Sequence, residues 1–342
     1  MNLNHKKILF ISAHFFGYEK AIVSKLKSLG AEVDFFNERP SNSVLTKGII
    51  RVNSTIYQRR INRYYQDILN QTSAKNYDFF LLIKGESIPF FFLDEFKKTH
   101  PNAKTIFYAY DAAREYPKFK ELYRYFDQNF TFEYSDAEQY KLHFRPLFFL
   151  EEYINTKEKK QAKYDLVFIG SAHTDRYLIG EKLQRIAKKL GLTTFFYYYA
   201  PSKMVFLLKK IFDKSLQKFN IKKLSFTKLH HSEIAEIYEY SFAVLDMNKP
   251  FQLGLTMRTF EALASGKKLV TTNQDIQNYP FYSSQNIFIV DRENETLDAD
   301  FFKTSFQKID QDILSKMTLE SWIECLFITN QDRYWAQFRN KN

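Results

Sequence analysis

The 342-residue sequence predicts an α/β protein of two doubly wound parallel sheets that face a cleft. Three observations carry that prediction. Short apolar runs alternate with segments of helical period. Several of the runs are apolar throughout, as in strands buried on both faces, instead of alternating with polar residues. The alternation also starts afresh after a polar, lysine-rich stretch near the middle. A chain of this length favours two cores over one.

Residues 7–12 (KILFIS) form the first expected strand, 18–29 carry apolar side chains at helical spacing, and Gly30 is placed as a stop. Residues 31–36 (AEVDFF) follow as a second strand. A long helix rich in Tyr and Arg is expected over 54–72, then a buried strand at 77–84 (YDFFLLIK). A helix at 88–98 leads to another buried strand at 105–110 (TIFYAY), and shorter strands continue at 126–132 and 142–148. The stretch 151–163 (EEYINTKEKKQAK) has no apolar period and reads as a linker. Beyond it come a strand at 164–169, a helix at 181–190 stopped by Gly191, and a strand at 193–199. A helix at 234–240, a strand at 242–246, a helix at 256–265 and a strand at 268–272 complete the second series. The expected organisation is an N-terminal Rossmann-like domain over 1–150 and a C-terminal Rossmann-like domain over 164–318. The tail 319–342, helical over 319–338, is placed to pack back on the N-terminal domain.

Composition narrows the function classes. The formal charge of +11 biases the surface toward anionic partners, and nucleic acid, anionic lipid and a phosphate-bearing substrate all fit. The single cysteine, Cys325, excludes an internal disulfide and a multi-cysteine zinc site, and its apolar neighbours read as core. The N-terminus has no signal-peptide pattern, and no apolar run reaches the ~20 residues of a membrane span, so a cytoplasmic protein is expected. Residues 203–223 form a basic amphipathic stretch that fits an anionic membrane or an ordinary packed helix with a solvated lysine face. Tyr197, Tyr198 and Tyr199 and the Arg/Tyr cluster at 54–66 read as packing before they read as base-stacking platforms, and no nucleic-acid partner is expected. The triplet Asp298-Ala299-Asp300 reads as a solvated turn, and neither a metal nor a cofactor is expected.

The most informative segment is 252–272 (QLGLTMRTFEALASGKKLVTT). A glycine-containing turn enters a helix on which Arg258 and Glu261, three apart, share a face. A helix N-terminus favours phosphate, Arg258 adds charge-assisted hydrogen bonds, and Glu261 can accept from a ribose diol. An Arg–Glu surface pair is the alternative. In the N-terminal half the loop after the first strand holds His14 and Gly17. Gly17 permits close backbone approach, and His14 is the natural base candidate because imidazole titrates near neutrality. Lys84-Gly85-Glu86 and Asp111 end two further strands. Asp111 or Glu86 would serve as a general base, with helix capping the plainer role for Asp111.

The string RTFEALASGKKLVTTN resembles the R-x-F-E-A-x-A-x-G nucleotide-sugar segment of group 1 glycosyltransferases of the GT-B fold, closest to their CgeB-like branch. FDQNFTFEYSDAEQY followed by RPLFF, and YDLVFIGSAHTDR, are similar to two further segments of that branch. The resemblance implies a metal-independent hexosyltransferase that moves a sugar from a nucleotide sugar, UDP-linked, to a glycan or lipid-linked acceptor in capsule, lipopolysaccharide or other surface polysaccharide biosynthesis. It sets Glu261 on the donor ribose, and Gly254, Leu255, Thr256 and Arg258 around the diphosphate. The N-terminal domain over 1–150 would then bind the acceptor, with Lys84 and Gly17 lining that side and Asp111 or Glu86 as an inverting base. Gly170, Ser171, His173 and Arg176 fall in or just beyond the loop after the first strand of the donor domain. Leu253 stands where retaining members often carry a second Glu, which leaves the stereochemical outcome open. The alternatives are a sugar-nucleotide epimerase of the same fold and a non-catalytic scaffold in polysaccharide assembly.

Overall fold

The computed structural model describes residues 3–40, 54–154, 160–172, 175–212, 216–328 and 332–339. The chain divides into two compact units, Met1–Pro146 with Ile323–Ala336, and Leu147–Trp322 with Gln337–Asn342.

In the first unit the order is β1 (Lys7–Ser12), α1 (Tyr18–Ser28), β2 (Glu32–Asn37), α2 (Ser54–Thr72), β3 (Phe79–Ile83), α3 (Phe90–Thr99) and β4 (Lys104–Ala109), then α4 (Phe119–Leu122), β5 (Gln128–Thr131), α5 (Tyr134–Tyr140) and β6 (His143–Phe144). The sheet runs β2-β1-β3-β4-β5-β6 with every pairing parallel. Because both faces are covered, β1 and β3 are apolar along nearly their whole length: Leu9, Ile11, Phe80 and Leu82 enter one core with Phe92 and Phe96 of α3. Helix α2 adds Ile61, Tyr65, Ile68 and Leu69, whose spacing of four, three and one keeps them on one face.

The second unit repeats the plan with β7 (Tyr164–Ser171), α6 (Arg176–Lys189), β8 (Thr194–Tyr199), α7 (Lys203–Phe212), β9 (Leu224–Ser225), α8 (His231–Glu239) and β10 (Ser241–Asp246), then α9 (Met257–Ala264), β11 (Lys268–Thr271), β12 (Ile287–Ile289), α10 (Gln311–Lys316) and α11 (Leu319–Phe327), which carries the chain into the first unit. The sheet order is β12-β11-β10-β7-β8-β9, again all parallel. Its core gathers Leu166, Phe168, Ala243, Leu245 and Val270 of the strands with Leu183 and Ala187 of α6. Tyr198 is buried in the same core, the packing role expected of it.

Several local expectations need correction. Residues 151–163 are not a solvated linker throughout, because Glu151–Tyr153 form a 3-10 turn and Tyr153 is buried. The expected strand 142–148 shortens to His143–Phe144, which pair with Phe130 and Thr131 of β5. The expected helix 319–338 is two helices, α11 and α12 (Asp332–Ala336). Helix α6 begins at Arg176, so this residue lies on a helix and not in a loop. The strands β9 and β12, of two and three residues, are too short to show a period in sequence. Cys325 is buried. No described helix is long and apolar enough to cross a membrane.

Candidate functional site

Open parallel sheets bind ligands outside the carboxyl ends of their strands, where the strand order reverses. In the second unit that point lies between β7 and β10, which pair with each other while their following connections go to opposite sides. Asp246, the last residue of β10, is buried there and organises what surrounds it. Its Oδ2 accepts from Thr256 Oγ1 at 2.8 Å and Thr259 Oγ1 at 2.9 Å, and its Oδ1 from Arg258 Nη1 at 2.8 Å. Arg258 Nη2 donates to the Ile169 carbonyl of β7, and the guanidinium lies 5.2 Å from the centroid of the Phe168 ring. Burial works to lower the Arg258 pKa, but Asp246, Tyr238 and Glu261 together outweigh it and hold the value above the ordinary one. The node ties β7, β10 and the start of α9 together.

Gly170 is required by this packing. A Cβ there would meet Arg258 Nη2 at 2.9 Å and Phe168 Cζ at 2.8 Å. Thr256 occupies the N-cap position of α9 but makes no cap bond, because its hydroxyl is given to Asp246. The first-turn N–H groups of a helix have no intrahelical partner, which favours an anion at that end.

Glu261 lies one turn further along α9 with its side chain only 6% exposed. His231 Nδ1 is 4.0 Å from Glu261 Oε1 and 2.8 Å from the Tyr153 hydroxyl. Burial and the Glu261 charge push the Tyr153 phenol far above its usual range, so it stays protonated. Arg176 is buried, its Nε donating to the Met247 carbonyl at 2.8 Å, and burial with the nearby Arg258 charge pulls its pKa down. Gly254 and Leu255 sit in a loop held by side-chain amides: Gln252 Nε2 donates to the Gly254 carbonyl at 2.8 Å, and Asn273 Nδ2 to Leu253 O at 2.8 Å. Leu253 is itself exposed. Arg292, just beyond β12, binds Asp175 Oδ2 at 2.7 Å, Asn248 Oδ1 at 2.8 Å and Thr272 Oγ1 at 3.0 Å. Ser171 ends β7, and His173 lies outside the described residues.

The first unit reverses order between β1 and β3. After β1, His14 Nδ1 is 3.0 Å from Glu19 Oε1, and Glu19 Oε2 accepts from the Phe15 amide at 3.1 Å. Burial would raise the Glu19 pKa, yet the hydrogen bonds from His14 and Phe15 bring it below the usual carboxylate value. The turn that aims His14 passes through Phe16 at φ 54° and Gly17 at φ 98°, and a Cβ on Gly17 would meet nothing within 4 Å. Lys84 and Gly85, after β3, are also both left-handed, at φ 79° and 75°.

Lys84 Nζ stands 2.9 Å from Glu86 Oε1 and 3.1 Å from Asp111 Oδ2. Glu86 also pairs with Arg39. Burial opposes the charge on Glu86, but Lys84 and Arg39 and a hydrogen bond from Tyr116 hold its pKa low. Lys84 is correspondingly held as an ammonium: burial would lower its pKa, and Asp111 with Glu86 raises it. Glu38, fully buried next to this network, takes the Ser87 amide on one oxygen, and burial raises its pKa. A 430 Å³ depression on the same side is lined by Gln58, Asn62, Ser87, Phe90 and Lys118 among others.

The structure thus brings Gly170, Arg258 and Thr256 onto one node with Glu261 one turn away, and puts Lys84, Glu86 and Asp111 in one ion network with His14 outside it. Asp246, His231, Tyr153 and Arg292 in the second unit, and Glu19 and Arg39 in the first, were not expected. Asp298 and Asp300 lie apart, beside a separate 520 Å³ depression at the β12 edge, and Asp300 pairs with Lys303 at 2.7 Å. Among the described residues no His/Cys/Asp/Glu group could hold a metal ion.

No protein-family profile matches this sequence, and no curated protein does. Solved structures do match along nearly the whole chain. HepE of Anabaena, in complex with UDP and glucose, is 9% identical with a TM-score of 0.51 over 99% of this chain and 100% of that one. The UDP-forming α,α-trehalose-phosphate synthase of Burkholderia xenovorans is 10% identical, TM-score 0.53, over 98% and 95%. UDP-N-acetylglucosamine 2-epimerase of Rickettsia bellii is 11% identical, TM-score 0.52, over 97% and 98%. At such identities the likeness concerns architecture, and with two parallel six-stranded sheets, each carrying helices, the chain has the two-domain, Rossmann-like GT-B fold.

Proposed function

We propose that this protein is a metal-independent glycosyltransferase that moves a sugar from a UDP-linked donor to a glycan or lipid-linked acceptor of a surface polysaccharide. The observation that carries the reading is the buried Asp246–Arg258 node with Glu261 one helical turn beyond it, at the strand-order reversal of the second sheet. A carboxylate buried beside a neutral phenol and an imidazole is suited to accepting hydrogen bonds from a ribose diol. The α9 N-terminus and the loop through Gly254, Leu255 and Thr256 would take the diphosphate, with Gly170, Ser171 and Arg176 on its other side. Arg258, already bonded to Asp246 and Ile169, acts mainly by fixing that helix end. HepE binds UDP and glucose, and the synthase is UDP-forming, which supports the base.

In the first unit His14 is the base. A carboxylate can only accept, so Glu19 accepts the hydrogen bond of Nδ1–H and thereby leaves the Nε2 lone pair to take the proton of an acceptor hydroxyl. That hydroxyl gives up its proton as its oxygen attacks the anomeric carbon and the bond to the diphosphate breaks. Asp111 and Glu86 would have to leave their ion pairs to accept a proton, and they serve instead to hold Lys84 on the acceptor side with Gly17. Gln58, Asn62, Ser87 and Phe90 offer amide, hydroxyl and aromatic groups suited to a sugar.

A thermal-shift screen of nucleotides tests the donor half. UDP at 100 times its Kd should stabilise the protein by about 2.7 kcal/mol, and Glu261→Ala should abolish the shift. A melt that no nucleotide moves, or an Ala variant that binds as well as the parent, removes the assignment. The epimerase match gives a second reading: isomerised nucleotide sugar without any acceptor would establish it. A scaffold would show UDP binding with neither activity.

A further inference from the structure

Helix α7 (Lys203–Phe212) carries the most exposed apolar surface of any described helix. Met204 is 63% exposed, Leu207 40%, Leu208 49% and Ile211 67%. At ~100° per residue these four fall within an arc of roughly 100°, a single stripe. The opposite face is anchored. Phe206 is buried and meets Phe219 at 5.2 Å between ring centroids, Phe219 stacks on Tyr177 of α6 at 4.0 Å, and Lys210 Nζ donates to the Phe219 carbonyl at 2.8 Å. The stripe is therefore not a loosely placed core face. The helix is already packed on its other side.

Its surroundings are basic. Residues 203–223 contain seven lysines against one aspartate, and Lys203, Lys218, Lys222 and Lys223 are exposed. Of these, Lys223 is paired with Glu181. An exposed apolar stripe followed in the chain by exposed lysines matches a surface that is apolar within and anionic at its boundary. A second copy of this chain would set like charges against each other around the same stripe.

We propose that α7 is a docking surface for an anionic lipid bilayer, with Met204, Leu207, Leu208 and Ile211 entering the headgroup–acyl boundary and the flanking lysines meeting lipid phosphates. One short helix gives weak, reversible binding, so the charge contribution should be large and sensitive to salt. The proposal stands apart from the glycosyltransferase reading, since it concerns neither donor nor base. It holds the second unit at the surface where a lipid-linked acceptor would lie.

Co-sedimentation of the full chain with vesicles of equimolar phosphatidylglycerol and phosphatidylcholine tests it. Binding is expected to these vesicles and not to phosphatidylcholine alone, and to fall at least tenfold between low and 0.5 M salt, as screening at a Debye length of a few Å requires (~3 Å at 1 M). The double variant Met204→Gln/Ile211→Gln should lose at least tenfold in binding, as should Lys203→Glu/Lys218→Glu. All four residues are exposed, so both variants should keep the parent melting profile and the parent response to UDP. Absence of binding by the parent, or variants that bind as it does, overturns the proposal. So does a parent dimer that ignores vesicles and dissociates in the glutamine variant, which would make the stripe a self-association face.

Discussion

Both sheets bury charge at their order reversals, but the first also leaves a titratable group half open beside it. In the second unit three strands lie on each side of the reversal, and Asp246, Arg258 and Glu261 are almost entirely withdrawn from solvent. In the first unit two strands lie on one side and four on the other, and beside the buried carboxylates of Glu19 and Glu38 the His14 side chain is 45% exposed. A buried, mutually bonded cluster cannot rearrange cheaply, so it suits a ligand of constant shape. A half-exposed imidazole on a left-handed turn suits a reacting group that must meet varied hydroxyls. On the proposed function, rigidity and reactivity would be divided between the units.

His14→Ala is the sharpest attack on that division. It should lower transfer by about 10²–10⁴-fold, the usual weight of a positioned base, and leave the UDP thermal shift untouched. Equal loss of UDP binding would show that the two functions are not separate. Asp246→Ala attacks the other side. It leaves Arg258 buried without its carboxylate, and a cost of about 3–5 kcal/mol is expected in chemical denaturation. A loss near zero would mean the node is dispensable. Gly170→Ala is a milder form of the same experiment, because the added methyl can push Arg258 aside. About 1–3 kcal/mol is expected, with weaker UDP binding.

The smallest effect concerns Glu38. Its pKa is raised by burial, so the folded chain keeps a proton that the unfolded chain releases first as pH climbs. Stability therefore falls as pH rises from the unfolded carboxyl value through the folded one. Glu38→Gln keeps an acceptor for the Ser87 amide and removes that dependence. It should match the parent at low pH and exceed it above the window by under about 1 kcal/mol, on the scale of one hydrogen bond. A variant less stable at every pH would mean that the ionised carboxylate is wanted.

The layers of the fold were legible because the signals are local: fully apolar runs for β3 and β4, and a clean helical stripe over Ser54–Thr72. So was the position of Glu261, through a helix with glycines at both approaches. What escaped was partnership. Tyr153 reaches His231 across 78 positions, Arg39 reaches Glu86 across 47, and Arg292 reaches Asp175 across 117. No periodicity encodes such pairs. Glu19 was nearer to view, five residues from His14, but as one acidic residue in a helix's first turn it looks like an ordinary dipole partner. Asp246 was seen as a strand end and given no role, since nothing in a sequence marks a carboxylate as the hub for Thr256, Arg258 and Thr259.

The path of the backbone limits how the protein can be taken apart. The boundary between units is passed near 146, again near 322 and a third time near 336. A contiguous piece ending at 146 lacks Phe327, which meets Phe79 at 5.1 Å, and Trp335, whose ring faces Arg145. A piece from 147 to 322 lacks Arg339, whose guanidinium grips both oxygens of Asp275. Neither half expressed alone would be a finished folding unit. Genetic dissection therefore calls for the late segment to be grafted back, or for the two pieces to be produced together and allowed to assemble.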